Sequence, residues 1–321
     1  MPLVEMKSML QHAYRNGYAV GAFDLVSLDF LGGIMAAAEQ HRSPVILSLA
    51  ESHFDHFDFE LLMPAVVKAV RRASVAVAIH LDHGVTLQSA IQAINLGCNG
   101  VMVDASDQSL SDNIRSTSAI VDMAHACGVP VEGELGYVPG VEGEDAERHP
   151  GKVAYTSVDE ARQYVAETGV DFLAVSIGTV HGRMQGVPKL DLTRLGEINA
   201  ALELPLVIHG GTGLSDAQFG QLIENGIAKI NYYTALSDAA ARQLQDNARA
   251  NPKGGFTCLT KGADDAVCIE AGHCMQLWGS AGRSDEVLAE CEPWTPVEHL
   301  IIYNVTGISE QQTHAMIAEG Q

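Results

Sequence analysis

The chain reads as an α/β protein, a closed (β/α)8 barrel followed by an atypical C-terminal extension. Three observations carry this reading. Eight apolar runs of strand length recur, at residues 18–23, 44–49, 75–81, 100–104, 129–135, 171–177, 204–209 and 227–231. Between them lie segments such as 28–40, 61–72, 87–96, 111–127, 158–168 and 216–225, whose apolar residues repeat at helical spacing with charges on the other face. Polar residues, several of them histidines, stand where the buried runs end, and α/β enzymes put their reactive groups there.

In order along the chain, a short leading helix precedes the first run, and each later pair adds one strand and one helix. Gly97, Gly128, Gly169 and Gly226 close helical segments just before a strand, the expected helix stop. Eight such units favour a closed parallel barrel. The competing open, doubly wound sheet lacks its fingerprint here, a GxGxxG directly after the first strand. With 321 residues and 47% hydrophobic content, the chain accommodates a barrel of roughly 250 residues plus an appendage. We place the barrel at residues 1–248 and the extension at 249–321, packed on the barrel or at a subunit interface. The longest connection, Gly136 to Thr156, is glycine-rich and acidic, and loops of this length are more often functional than idle. After the last run, 234–248 reads as a helix, Asn251-Pro252-Lys253-Gly254-Gly255 breaks the pattern, and a strand at 299–305 and a closing helix at 309–318 are expected.

Composition narrows the function. A formal charge of −21 argues against a general nucleic-acid binder, which needs a basic face to displace counterions. An anionic substrate then requires a local site made of backbone N–H groups and a metal. No stretch approaches ~20 uninterrupted apolar residues, and Met1 to Gly17 lacks the basic-then-apolar order of a secretory signal. A soluble, cytoplasmic protein with no membrane partner is expected. The six cysteines, Cys98, Cys127, Cys258, Cys268, Cys274 and Cys291, are widely spaced without a CxxC pair, which favours reduced thiols. Four lie in the last quarter of the chain beside His273, where a structural metal is conceivable although the spacing matches no standard pattern.

The third run ends in His80-Leu81-Asp82-His83-Gly84, the sixth leads to His181-Gly182, and the seventh runs into His209-Gly210-Gly211. On a barrel, His83, His181 and His209 open onto one face. Three neutral imidazoles with a fourth position for water or substrate make a catalytic zinc site. His80, inward on the same side as Asp82, reads more as a hydrogen-bonded core histidine than as a ligand. His53 and His56, after the second run, face substrate or solvent and receive no role. Neighbours on a strand point oppositely, so Asp82 does not easily share a metal with His83, although the bend into Gly84 can bring both to the rim. Asp82 reads as a general acid/base beside the metal, or as a helix-capping or orienting carboxylate. Asp104 and Ser106 read as groups that orient histidines, and Glu132 and Glu134, on one face of the fifth run, as a spare ligand or an orienting carboxylate. Gly210-Gly211-Thr212-Gly213 and the stretch Asn231 to Thr234 suit a phosphate, because the loops after the seventh and eighth strands are this fold's recurrent phosphate cradle.

Five ordered stretches resemble a known family. They are His80 to Gly84, Val131-Glu132-Gly133-Glu134-Leu135-Gly136, Leu173-Ala174-Val175-Ser176-Ile177-Gly178-Thr179-Val180-His181-Gly182, Val187-Pro188-Lys189-Leu190-Asp191, and Pro205-Leu206-Val207-Ile208-His209-Gly210-Gly211-Thr212-Gly213. They are similar to the metal-dependent class II fructose-bisphosphate and tagatose-bisphosphate aldolases, over about Leu3 to Ala248. The resemblance implies a carbohydrate-metabolism lyase of the glycolytic type, reversibly cleaving a ketose 1,6-bisphosphate to dihydroxyacetone phosphate and an aldehyde. Another ketose 1-phosphate or a sugar-acid phosphate is the alternative substrate. By resemblance, His83, His181 and His209 would bind one zinc per subunit, which would polarise the ketone, with room for a monovalent cation. Asp82 would move the proton on the C4 hydroxyl, and Glu142 would be the mobile base at C3. Gly182, Gly210, Gly211, Thr212, Asn231 and Thr234 would hold the phosphate and hydroxyls of dihydroxyacetone phosphate. No Schiff-base lysine is required, and a dimer or tetramer is implied.

The chain also departs from the family's pattern. Tyr232 and Tyr233 follow Asn231 and place bulk beside the phosphate site, Asp24 stands where asparagine is usual, and Ala50 stands where serine is common. The segment from Pro252 to Val305 does not look like the family's ending, and no equivalent is identified of the arginine that meets a second phosphate. Two other readings use the same residues. One is a metal-dependent hydrolase with Asp82 activating a zinc-bound water; the other is an inactive scaffold whose extension is the working part.

Overall fold

The protein's structure, a computed structural model, describes residues 2–145, 154–184 and 188–295, with only the backbone at 141–143 and 145. The elements run α1 (Met6–Asn16), β1 (Val20–Asp24), α2 (Leu28–His41), β2 (Val45–Ala50), a 3-10 turn (Glu51–His53), α3 (Phe59–Arg72), β3 (Val77–Gly84), α4 (Leu87–Leu96), β4 (Gly100–Val103), α5 (Leu110–Ala126) and β5 (Val131–Leu135). They continue as β6 (Gly140–Asp145), α6 (Val158–Thr168), β7 (Phe172–Val175), β8 (His181–Arg183), α7 (Leu192–Leu202), β9 (Leu206–Ile208), α8 (Asp216–Glu224), β10 (Ile227–Tyr232), α9 (Thr234–Ala250), α10 (Phe256–Leu259), α11 (Ala263–Leu277) and α12 (Ser284–Glu290).

Eight strands close into a parallel barrel in the order β1-β10-β9-β7-β5-β4-β3-β2, the architecture expected from the alternation of apolar runs and helical segments. Side chains on the outer strand faces, such as Leu47, Ile79, Leu173 and Ile230, pack under the helices in one core. A second cluster fills the barrel itself. Small residues, Ala22, Ala76, Ala78, Ala174 and Ala228, leave room at its lower end for Met6, Met9 and Leu10, so α1 plugs the N-terminal end. The fit is close, since a Cβ on Gly100 would stand 2.3 Å from the Met6 sulfur. With that end sealed, only the C-terminal mouth is left for chemistry.

Two features were not visible in sequence. The sixth run stops at Val175, and His181 begins a separate short strand, β8, which pairs with β6 from the long connection (Gly140↔His181). Part of the segment read as a loop is therefore extended and hydrogen-bonded, and it brings 140–145 over the mouth. Gly140 permits the pairing: its φ is 109°, and a Cβ there would lie 2.2 Å from the His181 carbonyl oxygen. Beyond Ala248, α11 lies against α2 and α9, burying Cys274, Met275 and Trp278 in the outer core. The chain then returns to its start, where the Trp294 N–H donates to the Leu3 carbonyl (3.0 Å) and the Glu5 N–H to the Glu292 carbonyl (2.8 Å). The strand and helix expected at 299–305 and 309–318 lie outside the described residues. Among the described residues, the convergent groups of metal-ligating side chains include no cysteine, so the cysteines around His273 are not gathered into such a group.

The seam between α2 and α11 gives paired predictions. A Cβ on Gly33 would meet the Asp264 carbonyl oxygen at 2.5 Å and the Val267 Cβ at 2.9 Å, whereas one on Gly32 meets nothing within 4 Å. Gly33→Ala is expected to destabilise the fold by ~1–3 kcal/mol through overpacking against backbone. Its neighbour Gly32→Ala is expected to stabilise by ~0.5–1 kcal/mol through helix propensity. Urea unfolding midpoints check both; equal shifts would rule out the close α2–α11 seam.

Candidate active site

Asp82 and His83 are adjacent on β3, and in a regular strand they would face opposite ways. The strand ends irregularly instead. His83 has φ 45°, and the register against β4 shifts between Leu81 and Gly84. A left-handed residue resets the alternation, so both side chains reach the mouth. For a non-glycine residue this conformation costs ~1–2 kcal/mol, and strain of that kind gathers at functional sites. The bend considered from sequence is therefore present, one residue before Gly84.

The three histidines meet. His83 and His209 rings lie 4.7 Å apart between centroids, His83 and His181 5.1 Å, and His181 and His209 5.8 Å. One ring nitrogen from each falls within 4.8 Å of the other two. The opposite nitrogens are anchored outward: His83 Nδ1 to Asp104 Oδ2 (3.0 Å), His209 Nε2 to Glu132 Oε1 (3.0 Å), and His181 Nδ1 to the Val138 carbonyl (3.1 Å). Outward donation fixes the tautomer, because a nitrogen that donates a proton leaves a lone pair on the other. His83 Nε2 and His209 Nδ1 then confront each other at 2.9 Å. Two lone pairs at that distance repel unless a cation or a proton lies between them. A divalent ion with bonds of ~2.0–2.1 Å to tetrahedral nitrogens spaces them roughly 3.3 Å apart, so the donor set fits such an ion.

Burial governs the charge states. It lowers His181 to about 3, reinforced by His83 and His209, and lowers His209 as well, so both rings are neutral at ordinary pH. On His83 burial acts the same way but is outweighed by Asp82, Asp104 and Glu134, and the ring is raised well above its usual value. Burial pushes Glu134 well up, with Asp104, Asp82 and Glu132 adding to it, and its carboxyl lies 3.5 Å from His209 Nδ1. Glu132 goes the other way: burial opposes ionisation, yet Lys229 and His209 bring it down to about 2.

Lys229 was not singled out from the sequence. It is fully buried in the barrel, 2.8 Å from Glu132 Oε2, and donates to Asn231 Oδ1 at 2.6 Å. That contact orients the Asn231 amide, whose nitrogen donates to both oxygens of Asp82 at 2.9 Å. Asn231, expected to bind substrate, thus lies on the carboxylate in this structure. A signal existed: in Ile227-Ala228-Lys229-Ile230-Asn231, lysine and asparagine alternate inside an otherwise apolar strand, and a register shift between Ile227 and Lys229 turns both inward. His80 is in the core as expected but makes no hydrogen bond among the described residues; its Nε2 is 3.8 Å from Glu132 Oε2. Ser106 acts through its backbone N–H, which donates to Asp104 Oδ1 at 2.9 Å.

The phosphate-type segments come together. A Cβ on Gly210 would lie 2.2 Å from the Val180 carbonyl oxygen, and its φ is 70°, so only glycine lets the loop after β9 pass the segment leading to His181. Thr212 Oγ1 accepts from the Ala235 N–H at 3.3 Å, tying that loop to the first turn of α9, where Thr234 is buried. Gly182, Gly211 and Thr212 therefore border one region with the start of a 17-residue helix. The two tyrosines separate. Tyr232 faces outward, stacked edge-on to Trp278 and donating to Glu270 at 2.9 Å, while Tyr233 lies against His53, with 4.4 Å between ring centroids. The Tyr232 ring nevertheless backs the glycine loop, since a Cβ on Gly211 would lie 3.5 Å from its Cδ2. The Glu142 side chain lies outside the described residues; its backbone is in β6.

The family described as fructose-bisphosphate aldolase class-II matches residues 4–283 of this chain. The chain belongs to the class II fructose-bisphosphate aldolase family. The match passes Pro252, so the departure from the family's ending begins later than the motif comparison placed it. Among curated relatives, the "probable fructose-bisphosphate aldolase" of Bacillus subtilis strain 168 is 40% identical over 255 residues, covering 78% of this chain and 88% of the relative. A fructose-bisphosphate aldolase of Staphylococcus epidermidis is 39% identical over 249 residues, 77% of this chain and 86% of its own. The crystal structure of the YdjI aldolase from Escherichia coli K12 superposes with a TM-score of 0.78 at 34% identity, covering 88% of this chain and 99% of that one. This aldolase is accordingly a lyase, of a family that is typically metal-dependent. No helix among its described residues is long and apolar enough to cross a membrane.

The buried site leads to a pH prediction. Burial, then Lys229, lowers His80 from 6.5 to about 3. Between those values the unfolded chain binds a proton that the folded chain excludes, so stability present above pH 6.5 is lost as pH falls towards 3. His80→Leu is expected to remove ~1.4 kcal/mol per pH unit from the slope of stability between pH 6 and 4. Urea unfolding across that range reads it, and an unchanged slope would mean that His80 is not buried as a neutral ring.

Proposed function

We propose that this family member is a zinc-dependent aldolase that reversibly cleaves a ketose 1-phosphate to dihydroxyacetone phosphate and an aldehyde. The observation that supports it most is the convergence of His83, His181 and His209, each with its outer nitrogen anchored to a carboxylate or carbonyl. In this reading the three inward nitrogens hold zinc, which when bound supplies a Lewis acid for the ketone oxygen. Nitrogen ligands in a tetrahedral set with one open position suit zinc better than magnesium or calcium, which take oxygen ligands.

Asp82 is the carboxylate that accepts the C4 hydroxyl proton while the C3–C4 bond breaks and the aldehyde leaves. Burial alone would raise its pKa, but the positive charge around it, His83 first and then the Lys229 ammonium, outweighs burial and keeps it ionised, as a base must be. Asn231 holds both carboxylate oxygens and sets their direction. Glu142, carried on β6 above the mouth, delivers or removes the C3 proton of dihydroxyacetone phosphate. Gly182, Gly210, Gly211, Thr212 and Thr234 border the phosphate, which neutralises part of its charge at the N-terminus of α9. Asp104 and Glu132 stay off the substrate and hold His83 and His209, while Glu134, 3.5 Å from the inward nitrogen of His209, stands beside the metal position as a spare ligand. The enzyme works as a soluble homo-oligomer.

Release of dihydroxyacetone phosphate from ketose phosphates, followed in a coupled assay before and after chelation, tests the reading. Activity is expected to disappear with chelator and return with zinc; release that persists in demonstrably metal-free protein would refute it. His209→Ala is expected to abolish metal retention. Glu142→Ala is expected to keep its zinc while losing ~10²-fold or more in exchange of the C3 proton of dihydroxyacetone phosphate with solvent. Exchange at the wild-type rate would remove Glu142 from the mechanism.

A further inference from the structure

The 3-10 turn after β2 carries a histidine that nothing above employs. Ala50 pairs in register with Asp82, so the turn Glu51–His53 stands directly beside the carboxylate end of β3. The turn is fastened there: the Glu51 carboxylate accepts from the Val85 N–H (2.7 Å) and from Ser89 Oγ (2.8 Å), and Phe54 stacks on Phe59 at 4.3 Å. His53 itself is 6% exposed, with one face covered by Tyr233, and its buried Nδ1 has no hydrogen-bond partner among the described residues. A buried polar atom left unpaired in a rigid turn requires an explanation, and a ligand that completes it is one. The register of Ala50 with Asp82 and the contact with Tyr233, which follows Asn231 at the end of β10, put this ring at the mouth, and burial keeps it neutral by lowering it to about 4.

The surrounding charges decide what such a group can meet. The connections after β1 to β4, residues 25–27, 51–58, 85–86 and 104–109, contain no lysine or arginine and carry Glu51, Asp55, Asp58, Asp104 and Asp107. The cations carried on β10 and β8 are engaged, Lys229 by Glu132 and Asn231 and Arg183 by Asp238. Among the described residues of one subunit, a phosphate dianion on this side would face carboxylates without a counter-charge. A neutral imidazole offers one donor and one acceptor, the complement of a hydroxyl group.

Resting on the aldolase reading above, in which Asp82 serves the C4 hydroxyl, we propose that His53 contacts the aldehyde half of the substrate and that this half is an uncharged hydroxyaldehyde. The substrate is then a ketose 1-phosphate without a second phosphate. His53 determines specificity; the proton transfers belong to Asp82 and Glu142.

The test uses the zinc-loaded enzyme in the condensation direction, with dihydroxyacetone phosphate and matched aldehydes: glycolaldehyde against its phosphate, and D- and L-glyceraldehyde against their 3-phosphates. The unphosphorylated member of each pair is expected to have a kcat/KM about ten-fold or more higher. His53→Ala is expected to raise the KM for the neutral aldehyde about ten-fold or more, and His53→Asn, which retains a donor and an acceptor, to recover most of it. Solvent exchange of the C3 proton of dihydroxyacetone phosphate, which needs no aldehyde, is measured alongside. Exchange together with equal or better use of phosphorylated aldehydes, or with condensation of none of them, overturns this inference while leaving the aldolase reading intact. Unchanged aldehyde KM values in both variants overturn the role of His53. Absence of exchange in the zinc-loaded wild type overturns the aldolase reading and this inference with it.

Discussion

A buried ammonium sets the polar half of the barrel. Taking a lysine out of water is costly, and Lys229 is tolerated on the barrel axis because Glu132 and Asn231 meet it at 2.8 and 2.6 Å. Two arms lead outward from it. Through Glu132 it reaches His209, whose outer nitrogen is held at 3.0 Å, and through Asn231 it reaches both oxygens of Asp82. The direction of each hydrogen bond follows from the first, since an ammonium only donates and so forces Asn231 to present its amide nitrogen to the carboxylate. The metal-type donor set and the candidate base are thereby coupled through one side chain that is fully buried from solvent.

The remainder of the site depends on backbone that departs from regular geometry. At His83 a left-handed residue turns two consecutive side chains to the same mouth, and at Gly140 and Gly210 the chain passes carbonyl oxygens too closely for a Cβ. These positions concentrate on the C-terminal face, whereas the opposite end is closed by ordinary packing of α1 methionines into a floor of alanines. Stability and chemistry are segregated by end, as the fold generally allows. The acid–base properties follow the same division. Burial keeps His181 and His209 neutral, and clustered cationic partners keep Glu132 and Asp82 ionised.

Much of this was legible from the chain alone. All eight barrel strands coincide with apolar runs to within a few residues, because a strand buried on both faces must be continuously apolar. The histidines were conspicuous for the same reason: a polar residue at the end of such a run has no place in the core. Asp104 as the partner of His83 was likewise foreseeable from its position after the fourth strand. Local pattern could not show the pairing of β6 with β8, which joins a glycine-rich segment to residues some forty positions later. It also missed the shift between Ile227 and Lys229, since a bulge changes which face a residue occupies without changing composition. The tyrosines after Asn231 make the same point, one turned to Trp278 and the other to His53.

By itself, then, the sequence determined the architecture, the family and the identity of the three converging histidines, because periodicity and strand-end chemistry are properties of contiguous residues. Only the tertiary structure decided that Asp82 and His83 share a mouth, that Asn231 serves a carboxylate, that Lys229 joins the two halves of the site and that the buried Nδ1 of His53 has no hydrogen-bond partner among the described residues. Those outcomes rest on contacts across the barrel between residues up to 149 positions apart, and on backbone torsions that no one-dimensional pattern encodes.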